Sequence, residues 1–363
     1  MSSLSDPDLQ HAHPQDHRSG AVAGHVEEHR ERTLRVSGLQ VSVADHLVAV
    51  QDVSFEIGRG ESVGLVGESG SGKTLTCRAV LGLLPDSGHV DEGRITLGEG
   101  AGSVDLTAAG RATWDEIRGA RVGAVFQDPA SYLNPSLTVG HQLAEQLRVK
   151  RGLSRRAANL RAVELFGEVG LHDPGSVFHQ FPHQLSGGML QRVLIAIAIS
   201  CEPDLLIADE ATTALDVVIQ AEILTLLRRL RETHRLSLLL VTHDLAVVAE
   251  TCERILVMYG GQIVESGPTE EVLGDPRHPY TQALMSVASI GSWERRTLDV
   301  IPGQPPAAGE QMPGCRFAPR CPSVTDRCLA GPVPVTDLGE GRLARCVRLA
   351  DGATTPISEE LSA

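Results

Sequence analysis

The chain has 363 residues, 42% hydrophobic and 3% aromatic, with a net charge of −14 and a pI near 5.4. That length holds a full α/β domain plus an appendage, while the acidic balance and scarce aromatics exclude non-specific nucleic-acid binding and base-stacking platforms. No stretch reaches the ~18–20 apolar residues needed to span a bilayer.

In chain order, residues 1–33 are polar, with His11, His13, His17, His25 and His29 among acidic residues. They read as a disordered tail, metal capture by His11 and His13 being the alternative. Short alternating strands are expected over 34–36, 41–43 and 53–57, then a Gly58-Arg59-Gly60 turn. A buried strand follows over 62–66, a helix over 75–84 and a β segment over 94–97. Residues 141–171 carry helical periodicity through Leu143, Leu147, Leu160, Val163, Leu165 and Val169. A βαβ rhythm comes next: strand 205–208, helix 218–232, strand 237–241. From about residue 291 the composition shifts to Pro, Gly and Cys, which reads as a loop-rich C-terminal extension. The N-terminus lacks the apolar run of a signal peptide, so the expectation is a cytosolic chain reaching the membrane through partners.

The densest chemistry lies between the 62–66 strand and the next helix. Gly67-Glu68-Ser69-Gly70-Ser71-Gly72-Lys73-Thr74 fits G-x-x-x-x-G-K-[ST] at every fixed position. Its glycines let backbone N–H groups turn inward around phosphate oxygens at a helix N-terminus. Apart from Lys150, Lys73 is the sole lysine in an otherwise arginine-based chain, placed where a slim point charge reaches β- and γ-phosphates. Thr74 offers a hydroxyl to Mg²⁺. Farther on, an apolar strand ends in Asp209-Glu210, one carboxylate suited to Mg²⁺ and the next to accepting a proton from attacking water.

Further segments follow this pattern in chain order: Gln127 in Val125-Phe126-Gln127-Asp128-Pro129, then Leu185-Ser186-Gly187-Gly188-Met189, Thr213-Ala214-Leu215-Asp216 and Thr242-His243-Asp244. Together they resemble the nucleotide-binding subunit of an ATP-binding-cassette (ABC) transporter over residues ~34 to ~270. The resemblance implies a P-loop NTPase cassette over 34–290: a RecA-like α/β core, an antiparallel β subdomain and a helical subdomain at about 130–185. The extension covers 291–363. By resemblance, Gly67, Ser69, Gly70, Gly72 and Lys73 bind the β- and γ-phosphates of ATP. Thr74, Gln127 and Asp209 hold Mg²⁺, Glu210 is the general base, and His243 contacts the γ-phosphate and water. Ser186, Gly187 and Gly188 then face the nucleotide of an opposing cassette, and Asp216 crosses the dimer interface. Ala211 stands where the family has proline, Leu190 where it has a polar or basic residue, and Val43 where it has the adenine-stacking aromatic. His46 or apolar contact is the expected substitute for that aromatic.

The tail narrows the class. Arg277-His278-Pro279-Tyr280, Ile301-Pro302-Gly303-Gln304-Pro305-Pro306 and Pro313-Gly314-Cys315-Arg316-Phe317-Ala318-Pro319-Arg320-Cys321-Pro322 resemble ATP-binding subunits of dipeptide/oligopeptide permeases, with nickel permeases the alternative. The implied role is ATP hydrolysis driving peptide import from the cytoplasmic face of the membrane. The implied partners are a second ATPase subunit in a heterodimer, two membrane permease subunits and an external substrate-binding protein, with no nucleic acid. A non-transport cassette ATPase fits less well, because this chain carries one uninterrupted cassette. Cys315, Cys321, Cys328 and Cys346 cluster in the tail, and four thiolates suit zinc or an iron–sulfur cluster by chemistry alone. The resemblance implies a [4Fe–4S] cluster there. Cys77, Cys201 and Cys252 read as small apolar fillers.

Overall fold

The computed structural model describes residues 30–44, 46–211, 216–288, 301–310 and 312–350. The polar tail up to residue 29 with its five histidines, Thr213, Ala214 and Leu215 of the segment ending at Asp216, and residues 289–300 lie outside the described residues.

Strand β1 (Arg32–Val43) is one strand where two short ones, 34–36 and 41–43, are expected. Register shifts between Val36 and Val41 and a left-handed Gly38 absorb the intervening residues as bulges, so pairing continues through them. β2 (Leu47–Gly58) pairs antiparallel with β1, and β3 (Ser62–Val66) is buried at every residue. Helix α1 (Lys73–Leu81) stops before the expected end at 84 because Gly82 takes a left-handed cap at φ 60. β4 (His89–Leu97) and β5 (Val104–Asp105) complete a four-stranded antiparallel sheet in the order β2-β1-β4-β5.

After α2 (Arg111–Ile117) and β6 (Val122–Val125), the chain forms a helical region: α3 (Val139–Arg151), α4 (Arg155–Glu168) and α5 (Pro174–Phe178). The periodic stretch 141–171 is thus two helices and a turn. Gly152 at φ 64 closes α3, and Ser154 caps α4 by accepting from the Ala157 N–H. Then come α6 (Gly187–Ile199), β7 (Leu205–Asp209), α7 (Val217–His234), β8 (Ser237–Thr242) and α8 (Leu245–Thr251). β9 (Arg254–Tyr259), β10 (Gln262–Pro268), α9 (Thr269–Gly274) and α10 (Pro279–Ala288) follow.

The main sheet has eight strands in the order β11-β12-β10-β9-β3-β8-β7-β6. Strands β9, β3, β8, β7 and β6 are parallel, and β3, β7 and β8 are buried throughout, as expected of strands covered on both faces. One apolar core joins β3 and β7 to α1 and the antiparallel sheet. A second joins the other sheet face to α6, α7 and the helical region. The extension also enters the sheet: β11 (Thr336–Gly339) and β12 (Arg342–Ala344) form a hairpin whose second strand pairs with β10, before α11 (Val347–Ala350). Among the described residues, no helix is long and apolar enough to cross a membrane.

Candidate active site

Between β3 and α1 the chain turns around a cavity of about 390 Å³. Gly67 has φ 151, and a Cβ there would lie 2.1 Å from the Met258 carbonyl oxygen of β9, so no other residue fits. The buried Lys73 ammonium donates to the carbonyl oxygens of Gly67 at 2.7 Å and Glu68 at 3.0 Å. Burial lowers its pKa, opposed by the carboxylates of Glu210 and Asp209.

Both carboxylates arrive from the end of β7. Asp209 is buried, and its Oδ1 accepts from the Thr74 hydroxyl at 3.4 Å. Burial raises the Asp209 pKa, the neighbouring Glu210 charge adds to this, and the Thr74 hydrogen bond opposes it. Glu210 sits at φ 49, a left-handed conformation costly for a non-glycine residue, held by its N–H donating to Val241 O at 2.9 Å. From there its Oε1 lies 3.7 Å from His243 Nδ1, just beyond β8. The fold therefore gathers Ser69, Gly70, Gly72, Lys73, Thr74, Gln127 and Glu210 around one cavity, with His243 beside Glu210. These donors fit a divalent cation: a hydroxyl and a buried carboxylate converge there, and a second carboxylate adds charge that a cation would offset.

Ser186 caps α6, its Oγ accepting from the Met189 N–H at 3.3 Å, and Asp216 caps α7 by accepting from Ile219 N–H at 3.0 Å. The two caps adjoin, since a Cβ on Gly188 would lie 2.9 Å from Ile219 Cγ2. Neither the Ser186–Gly188 turn nor Asp216 lines the cavity of its own chain.

Other residues at the site carry no local sequence signal. Glu68 of the phosphate loop is gripped by Arg320, 252 positions away, through two hydrogen bonds of 2.7 and 3.1 Å. The same guanidinium donates to Tyr259 Oη and to the carbonyl oxygens of Ile301 and Pro302. The Tyr280 hydroxyl accepts from the Glu68 N–H at 2.8 Å. Pro306, Ala307, Ala308 and Arg316 line the cavity itself, together with Val43 and Ala49. His46, the expected substitute for the missing aromatic, instead packs edge-on against His89.

The four tail cysteines require a correction. Among the described residues, no group of three or more His, Cys, Asp or Glu is arranged to hold a metal ion, so the expected [4Fe–4S] cluster at Cys315, Cys321, Cys328 and Cys346 is not supported. All seven cysteines are free thiols. The tail four line a cavity of about 10 Å³ beside His278 and Phe317, room for roughly one water. Burial pushes the Cys315 thiol up to about 11 and raises Cys321 and Cys346 as well. Cys315 and Cys321 pack against the main core, and Cys328 packs with Ala318, Val333 and Val347, as small apolar fillers.

The ABC transporter family profile matches residues 50–213, and the profile for the oligopeptide/dipeptide transporter C-terminal region matches residues 264–328. A putative peptide import ATP-binding protein of Brucella ovis is 46% identical over 330 residues, covering 88% of this chain and 98% of that protein. The dipeptide transport ATP-binding protein DppD of Escherichia coli K12 is 42% identical over 326 residues, covering 89% and 98%. A solved ATP-binding cassette dimer in a post-hydrolysis state, bound to ADP and Pi, superposes with a TM-score of 0.57 at 28% identity, covering 65% of this chain and 98% of the cassette. The fold and site define an ATP-binding cassette, and this chain belongs to the ABC transporter family, among the ATP-binding subunits that carry the oligopeptide/dipeptide C-terminal region.

Proposed function

We propose that this chain is the ATP-hydrolysing subunit of a peptide importer, working peripherally at the cytoplasmic face of the membrane. The observation that carries this reading is the convergence of Lys73, Thr74, Gln127 and Glu210 on one cavity, in a chain whose relatives are named for peptide import. Residues 34–290 act as the cassette and 291–363 as an extension fastened to it. A second cassette subunit pairs with it as a heterodimer, and two permease subunits dock on the helical region. An external binding protein delivers substrate. The Ser186–Gly188 turn serves the nucleotide of the opposing subunit, consistent with its position away from its own chain's cavity.

In hydrolysis, Lys73 exchanges the carbonyl oxygens of Gly67 and Glu68 for β- and γ-phosphate oxygens, a gain because those oxygens carry full charge. Thr74, Asp209 and Gln127 would hold Mg²⁺, which would supply positive charge to offset that developing on the phosphates. Glu210 accepts a proton from the attacking water as the water oxygen bonds to the γ-phosphorus, and the bond from that phosphorus to the β–γ bridging oxygen breaks to release ADP. His243, 3.7 Å from Glu210, orients the water and contacts the γ-phosphate. Replacing Glu210 by Gln removes the base and keeps the cavity, so turnover should fall ~10²–10⁴-fold while ATP still binds and holds a closed dimer. Phosphate release and size-exclusion chromatography with ATP test this; wild-type turnover in the variant would refute the role of Glu210.

A further inference from the structure

The phosphate loop supplies residues 69–74 of the cavity lining, and among the described residues no aromatic side chain joins them. A purine base needs flat apolar or cationic surface there. What the fold supplies comes from two distant parts of the sequence: Val43 and Ala49 at the β1–β2 hairpin, and Pro306, Ala307 and Ala308 with Arg316 from the extension.

This extension wall is fixed in place. The Ala307 N–H donates to Glu310 Oε2 at 2.9 Å, and the Glu310 N–H donates back to Ala307 O at 3.0 Å, closing a tight turn. Gly309, at φ 81, lies so close to the hairpin that a Cβ would come within 2.6 Å of Leu47 Cδ2. Arg316 is only 7% exposed. One terminal nitrogen of its guanidinium donates to Gly260 O, and the other donates to Gln51 Oε1 at 2.7 Å. Its Nε is buried and has no hydrogen-bond partner among the described residues. Besides Lys73, it is the one cationic side chain lining the cavity among the described residues. Two anchored nitrogens hold the plane of the guanidinium still, so little rotamer entropy remains to be lost when a ring packs on it.

We propose that Arg316 and the 306–308 segment form the nucleobase subsite of this cassette, with the Arg316 guanidinium taking the place of a stacking aromatic. This inference rests on the ATP-binding reading above. It makes Arg316 a base-recognition residue, and it makes the extension part of the nucleotide pocket.

Calorimetric titration of the purified chain with Mg-ATP and with Mg-tripolyphosphate, which has the phosphates and no base, separates the possibilities. Arg316→Ala should weaken ATP about 10-fold, within the range of a desolvated cation–π contact, and leave tripolyphosphate within about twofold. Ala308→Ile, which leaves the Arg316 anchors intact and adds branched, non-planar bulk to the cavity wall, should do the same. Arg316→Lys should recover only part of the loss, because an ammonium lacks the planar face. Equal weakening of both ligands, or unchanged ATP affinity in Arg316→Ala and Ala308→Ile, would overturn the subsite. A wild-type chain that binds neither ligand would overturn the phosphate-loop reading itself.

Discussion

Replacing Arg320 by alanine removes the grip of the extension on the phosphate loop. The Arg320 side chain is 3% exposed and Glu68 is 26% exposed, so the pair is largely dry on one side. The hydrogen bond to Glu68 raises the Arg320 pKa above its usual value, so the guanidinium is charged at every working pH. The substitution strands the Glu68 carboxylate and leaves two carbonyl acceptors, Ile301 and Pro302, without their donor. Breaking a buried pair by removing one partner costs ~3–5 kcal/mol, and partial hydration of Glu68 argues for the lower end, about 3 kcal/mol. For a chain of this size that is a fall in Tm of roughly 4 °C. Thermal and urea denaturation of the wild type, Arg320→Ala, Glu68→Ala and the double variant form a cycle. The double variant should be more stable than the sum of the single losses predicts, because it leaves no uncompensated charge. Arg320→Lys should rescue less than half of the loss, since an ammonium cannot make the two-pronged contact. A Tm within 2 °C of wild type in Arg320→Ala, or strict additivity, would refute the reasoning.

His278 is fully buried, accepts the Tyr280 N–H on Nδ1 at 3.0 Å, and is driven by burial down to a pKa of about 3. Between pH 6.5 and about 3 the unfolded chain binds a proton that the folded chain refuses, so stability falls as pH drops, by roughly 1.4 kcal/mol per pH unit within that window. Urea denaturation across this window should show a shallower slope for His278→Asn, and an unchanged slope would contradict the buried neutral imidazole. Gly67→Ala forces a Cβ against the Met258 carbonyl at 2.1 Å, so the loop must shift; calorimetry should find ATP binding weakened at least ~100-fold, and retained affinity would contradict the fit of the turn.

The parts of this site legible in the sequence are those made by contiguous residues. The phosphate loop, the apolar strand ending in Asp209 and Glu210, and the segment around His243 each carry their chemistry within a few positions, where backbone geometry fixes spacing. Strands β3, β7 and β8 stand out because parallel strands buried on both faces are unbroken apolar runs. The break within 141–171 depends on one left-handed glycine, Gly152, which helical periodicity alone does not weigh. The hairpin β11–β12 is short and mostly polar, and only its pairing with β10 makes it a part of the sheet. Arg316 and Arg320 are arginines in a proline- and cysteine-rich stretch until folding carries them to residues some 250 positions earlier. The cysteines illustrate the opposite error. Their clustering is visible in sequence, but metal binding depends on an arrangement of thiolates that the fold does not provide.

The most direct test of the account is ATP hydrolysis by the complete membrane complex containing this chain, with the external binding protein loaded with short peptides or with nickel. The account predicts peptide-stimulated phosphate release that is lost in Glu210→Gln, with nickel giving no stimulation. Stimulation by nickel alone would contradict it.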